Sequence, residues 1–131
     1  MYTKYNTFNE KNLLNRAGNE LVVYYDTKHK LFTTRSYDAC GVPKHFVQTP
    51  YAEEAKRPAM KIFWQMLDDE HRSLAESFEE KHGFFQFMRE TGLIDYYDEA
   101  FVQVAEEIIC DWERENHLKL DWDNLNVEWC F

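Results

Sequence analysis

The side chains of this sequence best suited to nucleophilic or metal chemistry are three cysteines and five histidines. Zinc takes Cys, His or carboxylate ligands delivered by at least two clusters. The candidates are Cys40 with His45, Cys110 with His117, and Cys130, but the chain has no C-x₂-C and no two histidines four residues apart. Cys110 adjoins an apolar stripe at helical spacing, where a free thiol packs as a small hydrophobe. Cys40 with His45 or His29 has the makings of a thiol nucleophile and its base, which needs a depressed thiol pKa and hydrogen-bond reach. The adjacent Gly41-Val42-Pro43 is explained as turn chemistry. Carboxylates cluster at Asp68/Asp69/Glu70, Glu79/Glu80, Asp98/Glu99 and Glu106/Glu107. Any two could do acid–base work or hold Mg²⁺, yet acids this abundant on helices read as a solvated face. His71 and His82 could share a helical face and read as surface residues. Residues 121–128 hint at a calcium loop but lack the glycine at its sixth position and the acid at its twelfth. No glycine-rich phosphate loop, GxSxG or HExxH is present.

Those residues must be positioned by a chain of 131 residues, a length that fits one domain. An aromatic fraction of 17% supplies ample core material. Residues 9–18 predict a short helix, capped by Asn9 and ended by Gly18. Residues 20–26 and 30–37 are β-branched and aromatic and predict a hairpin, with residues 45–49 as a third strand. Helices are expected at 58–67, 72–82, 84–91 and from 97 or 98 to about 116. The last carries Phe101, Val104, Ala105, Ile108 and Trp112 as one apolar stripe. Residues 126–131 could add a final strand. The expected architecture is α+β: a small antiparallel sheet from the N-terminal half, packed against a C-terminal helical layer. It forms one domain over 1–131, sheet-rich at 1–50, helix-rich at 51–117, with a tail at 118–131.

Charge is distributed unevenly along the sequence. Residues 1–67 hold ten Lys/Arg and six Asp/Glu, whereas residues 68–131 hold five and eighteen, within a net charge of −9. Phosphate would repel the acidic half, which argues against direct nucleic-acid binding there. Basic residues among aromatics in the first half (Lys28, Lys30, Arg35 and Lys44 near Tyr24, Phe32 and Phe46) have the make-up of a single-strand binder, but the net charge favours an ordinary mixed-charge hairpin. No apolar run reaches the ~20 residues of a membrane helix, and the N-terminal residues lack the layout of a secretory leader. The odd cysteine count fits a reducing, cytoplasmic setting.

The acids could form a field like a polyanion, attracting a partner whose own site is basic, such as a nuclease or nucleic-acid-binding complex. Tyrosines among the acids would anchor such a contact. The expected partner-binding residues are Asp95, Tyr96, Tyr97, Asp98, Glu99, Glu106, Glu107, Asp111 and Glu113. In composition and size the chain resembles small acidic inhibitors of nucleic-acid enzymes, namely anti-CRISPR, anti-restriction and nuclease-immunity proteins. The resemblance is to an inhibitor and carries over no residue roles; the chain is expected not to be an enzyme and to use no cofactor or metal. Two other readings are a small enzyme or metal-binding protein built on Cys40, His45 and nearby acids, and a homo-oligomer formed through exposed aromatics.

Overall fold

In the computed structural model, which describes residues 4–38, 40–81 and 83–129, strands β1 (Leu21–Asp26) and β2 (Leu31–Ser36) form the hairpin that the β-branched runs predict. The Asp26↔Leu31 pair closes it. Strand β3 (Phe46–Gln48) pairs antiparallel with the other edge of β1, setting Asp26 opposite Phe46. Strand β4 (Val127–Glu128) joins β2 in parallel, so the four-stranded sheet, ordered β3-β1-β2-β4, is mixed rather than purely antiparallel. The helices are α1 (Lys4–Glu10), α2 (Lys56–Met66), α3 (Asp69–Lys81), α4 (Phe84–Thr91) and α5 (Ile94–Glu115), with a 3₁₀ turn at Ala52–Ala55. The expectations for His82, Cys130 and Phe131 lie outside the described residues, as do the side chains of Glu79 and Glu80. The α+β class holds.

The chain gathers into two compact units, Met1–Glu54 with Ala105–Phe131, and Ala55–Val104. In the first, Phe8, Leu13, Leu14, Val23, Tyr25, Phe32, Ile109 and Trp112 form the core between the sheet, α1 and the second half of α5. Phe8 sits at its centre, edge-on to Phe32 at 5.5 Å and to Trp112 at 5.8 Å. Ile109, not Ile108, supplies the fully buried position of the α5 stripe.

The first helix lies earlier than the residue types predict. Asn9 is inside it, not capping it. Asn12 ends it in the left-handed region at φ 57°, with Leu13 N–H donating to Phe8 O (2.8 Å) and Asn12 N–H to Asn9 O (3.2 Å). This Schellman ending brings Leu13 back onto Phe8, the apolar contact that stabilises such ends. α4 ends in the same way at Gly92 and α5 at His117.

Asn15 ties the first unit together. It is buried, its Oδ1 accepts from Val23 N–H (2.7 Å), and its Nδ2 donates to Val23 O (3.2 Å), Thr49 O (2.8 Å) and Thr49 Oγ1 (2.9 Å). Its own N–H donates to Pro50 O and its carbonyl accepts from Ala52 N–H.

In the second unit Phe63, Leu67, Ala75, Phe87, Met88 and Tyr97 are buried. Asp68 caps α3: its Oδ1 accepts from the His71 amide (2.8 Å) and contacts the His71 imidazole (2.7 Å). Arg72 reaches back to the last-turn carbonyls of α2, at Trp64 O (3.3 Å) and Gln65 O (3.4 Å), the first of which also accepts from the Leu67 amide (3.3 Å).

Asn15→Ala removes the side-chain partner of Val23 N–H and of Thr49 O, at about 1–3 kcal/mol for each orphaned group, while Val23 O keeps the Thr49 amide and hydroxyl. Asn15→Asp, by facing carbonyl oxygens with a carboxylate, should lose more still in urea unfolding; an Asp variant no worse than Ala would remove the hub role. The His71 amide, then its imidazole, holds the Asp68 carboxyl below the ordinary carboxylate range. The cap is therefore intact above a pH of about 4 and lost as pH falls through the lowered value. Asp68→Ala should lower thermal stability at neutral pH, with the difference from the native chain closing in strong acid; a constant difference across that range would rule out the charged cap.

Candidate functional site

Two places in the first unit concentrate chemistry. One surrounds the end of β1. The hairpin loop returns through Lys30, at φ 56°, whose amide donates to Asp26 O (2.8 Å). Asp26 Oδ1 accepts from the amides of Lys28 and His29, each at 3.0 Å. The β1–β3 register then carries His45 alongside, and Thr27 fixes it by donating to the His45 carbonyl through its amide (3.1 Å) and hydroxyl (2.7 Å). His29 Nδ1 lies 2.7 Å from Asp26 Oδ2 and His45 Nε2 lies 3.2 Å from Asp26 Oδ1. Burial pushes the Asp26 carboxyl up, but the His29 amide and imidazole and the Lys28 amide outweigh it and hold the group below its ordinary value. Among the described residues this is the one group of three side chains able to hold a metal ion. Cys40 is exposed and is not a member, so the predicted Cys40/His45 pairing is replaced by His45 with Asp26 and His29.

The other place is an open groove of about 390 Å³ between the exit of β3 and the last turns of α5. Tyr51, Ile108 and Trp112 form apolar walls, and Glu54, Asp111 and Glu115 bring three exposed carboxylates. No described lining residue is basic. The indole of Trp112 donates to Gln48 O (2.8 Å), which locks the groove floor. Every fourth residue of α5 from Asp95 is exposed, giving Asp95, Glu99, Gln103, Glu107, Asp111 and Glu115; residues four apart line one ridge of a helix.

No family model, curated protein or solved structure matches the chain.

The nine residues expected to bind a partner have different surroundings. Asp95, Asp98, Glu99, Glu107 and Asp111 are exposed, as is Tyr96. Asp111 is also paired with Arg114. Tyr97 is buried, edge-on to Phe63 (6.2 Å) and Phe85 (5.7 Å), and is a core residue of the second unit. Glu113 is buried too: it pairs with Lys4 Nζ (2.8 Å) and accepts from the Trp122 indole (3.3 Å). Glu106 accepts from the amides of Lys4 (3.2 Å) and Tyr5 (2.9 Å), capping α1 from a hundred residues away. Glu54 and Glu115 are groove residues outside the expected set. The four-residue spacing from Glu107 signals Glu115, whereas only the tertiary fold brings Glu54 there.

The charge asymmetry of the sequence does not become an asymmetry between the units. The first holds nine Lys/Arg and fourteen Asp/Glu, the second six and ten. Negative potential is therefore a local property, and the groove is a place where it meets aromatic surface.

Lys4 is held above its ordinary pKa, chiefly by its hydrogen bond to Glu113. Glu113→Ala should destabilise the chain by about 1–3 kcal/mol, mostly through the unpaired Trp122 indole, since the half-exposed Lys4 contributes less. The Lys4 contribution is present below a pH of about 10.4 and lost as pH rises through the raised value. A Glu113→Ala chain as stable as the native one in urea at neutral pH would show that Glu113 has no internal role.

Proposed function

We propose that this chain is a small acidic binding protein, not an enzyme, that occupies the basic surface of a nucleic-acid-handling partner such as a nuclease or guided nuclease complex. The observation that carries this reading is the groove with Glu54, Asp111 and Glu115 around Tyr51, Ile108 and Trp112. An arginine or lysine entering it finds the Glu54 and Glu115 carboxylates for its charged head, Asp111 being paired with Arg114, and apolar rings for its stem, the pairing that guanidinium groups favour. Glu107 extends the negative row along α5. Opposite potentials steer such an encounter and weaken with salt over a Debye length of about 8–10 Å.

The test is capture from native lysate on immobilised chain, at low and then moderate salt, with and without added duplex DNA. The reading expects captured proteins that bind nucleic acid, leave with salt and are displaced by DNA. A Glu54→Lys, Glu115→Lys double variant should reduce capture about tenfold, equivalent to ~1.4 kcal/mol. Capture indifferent to salt, DNA and this double variant would overturn the reading.

A further inference from the structure

The end of β1 offers chemistry that acidic binding does not use. We propose that Asp26, His29 and His45 form a site for a divalent transition-metal cation of the zinc class, bound through the Asp26 carboxylate, His29 Nδ1 and His45 Nε2. Two imidazoles with one carboxylate are a donor set that borderline cations such as Zn²⁺ accept. The three donor atoms lie within 4.8 Å of one another. Metal–ligand bonds of about 2.0–2.2 Å place neighbouring donors roughly 3.0–3.5 Å apart. The observed separations, 2.7 Å from His29 Nδ1 to Asp26 Oδ2 and 3.2 Å from His45 Nε2 to Asp26 Oδ1, are therefore within a small side-chain adjustment of coordination.

The backbone holds the donors in three separate ways. Asp26 ends a central strand, His29 sits in the tight hairpin loop, and His45 is tethered through its carbonyl to Thr27. The two Asp26 oxygens have different partners. Oδ1 takes the Lys28 and His29 amides, which orient the carboxylate as an outer-shell partner orients a metal ligand, and lies 3.2 Å from His45 Nε2. Oδ2 has only the His29 imidazole and keeps acceptor capacity for a cation. Asp26 is buried while the His29 side chain is 61% exposed. One side is thus closed by protein and the other open to water, so coordination positions beyond the three donors face solvent. This differs from a closed four-ligand structural site.

The test is equilibrium dialysis of the full chain, first stripped with chelator, against micromolar Zn²⁺, with bound metal measured by mass spectrometry. One Zn²⁺ per chain is expected. His29→Ala with His45→Ala should weaken it by more than about a hundredfold, beyond the 10–100-fold typical of losing an outer-shell partner. His71→Ala and Cys40→Ser should leave it unchanged. Asp26→Asn, which keeps an oxygen acceptor for the two amides, should weaken binding similarly, with circular dichroism checking that each variant is folded. Co²⁺ in place of Zn²⁺ should give visible d–d bands without the intense near-ultraviolet band of a thiolate ligand. Equal zinc binding by the native chain and the folded double-histidine variant overturns the proposal, and so does a thiolate band lost in Cys40→Ser.

Discussion

The saturated hydrogen bonding of buried Asn15 is the constraint on which both candidate sites depend. Its side chain completes pairing that the strands leave open, joining the middle of β1 at Val23 to Thr49 just past β3. Its backbone continues the link to Pro50 and Ala52. The β1–β3 register follows from this tie, and that register sets His45 beside Asp26 at one end. At the other end the same tie fixes Thr49, Pro50 and Tyr51, which wall the acidic groove. A buried amide with every polar atom engaged specifies geometry more strictly than apolar packing, because any shift leaves a group unpaired.

Much of the fold is legible in local residue patterns. The hairpin emerges from the two β-branched runs, and α4 from the glycines at both its ends. The long helix is readable from its stripe, although Tyr97 and Ile109 belong to the buried face and α5 starts at Ile94. The first helix is misplaced because its start is stabilised by Glu106, a residue that no local window contains. Its end is misplaced because Asn12, not Gly18, takes the left-handed closing position. β4 pairs in parallel with β2, a choice made by the path of the tail after α5 and not by the two strand residues themselves.

The sites were less legible, for a related reason. Counting acids along the sequence treats every carboxylate as exterior, yet Glu113 neutralises Lys4 inside the first unit and Glu106 serves as a helix cap. Once the chain folds, the basic N-terminal segments and the acidic end of α5 belong to the same unit. Asp26 and His29, three residues apart, are a visible local pair, but His45 joins them only through strand register. Cys40, five residues before His45, is exposed and outside the group of three.

The bonds from Glu106 to the amides of Lys4 and Tyr5 span 102 and 101 residues. At ribosomal rates of about 5–20 residues per second, the acceptor is made roughly 5–20 seconds after the helix it completes. Throughout that interval α1 is too short to persist alone, and Phe8 lacks Trp112 and Trp122, two of the rings that surround it. α1 therefore waits, incompletely packed and exposed to chaperones and proteases, until α5 and the segment after it have been translated.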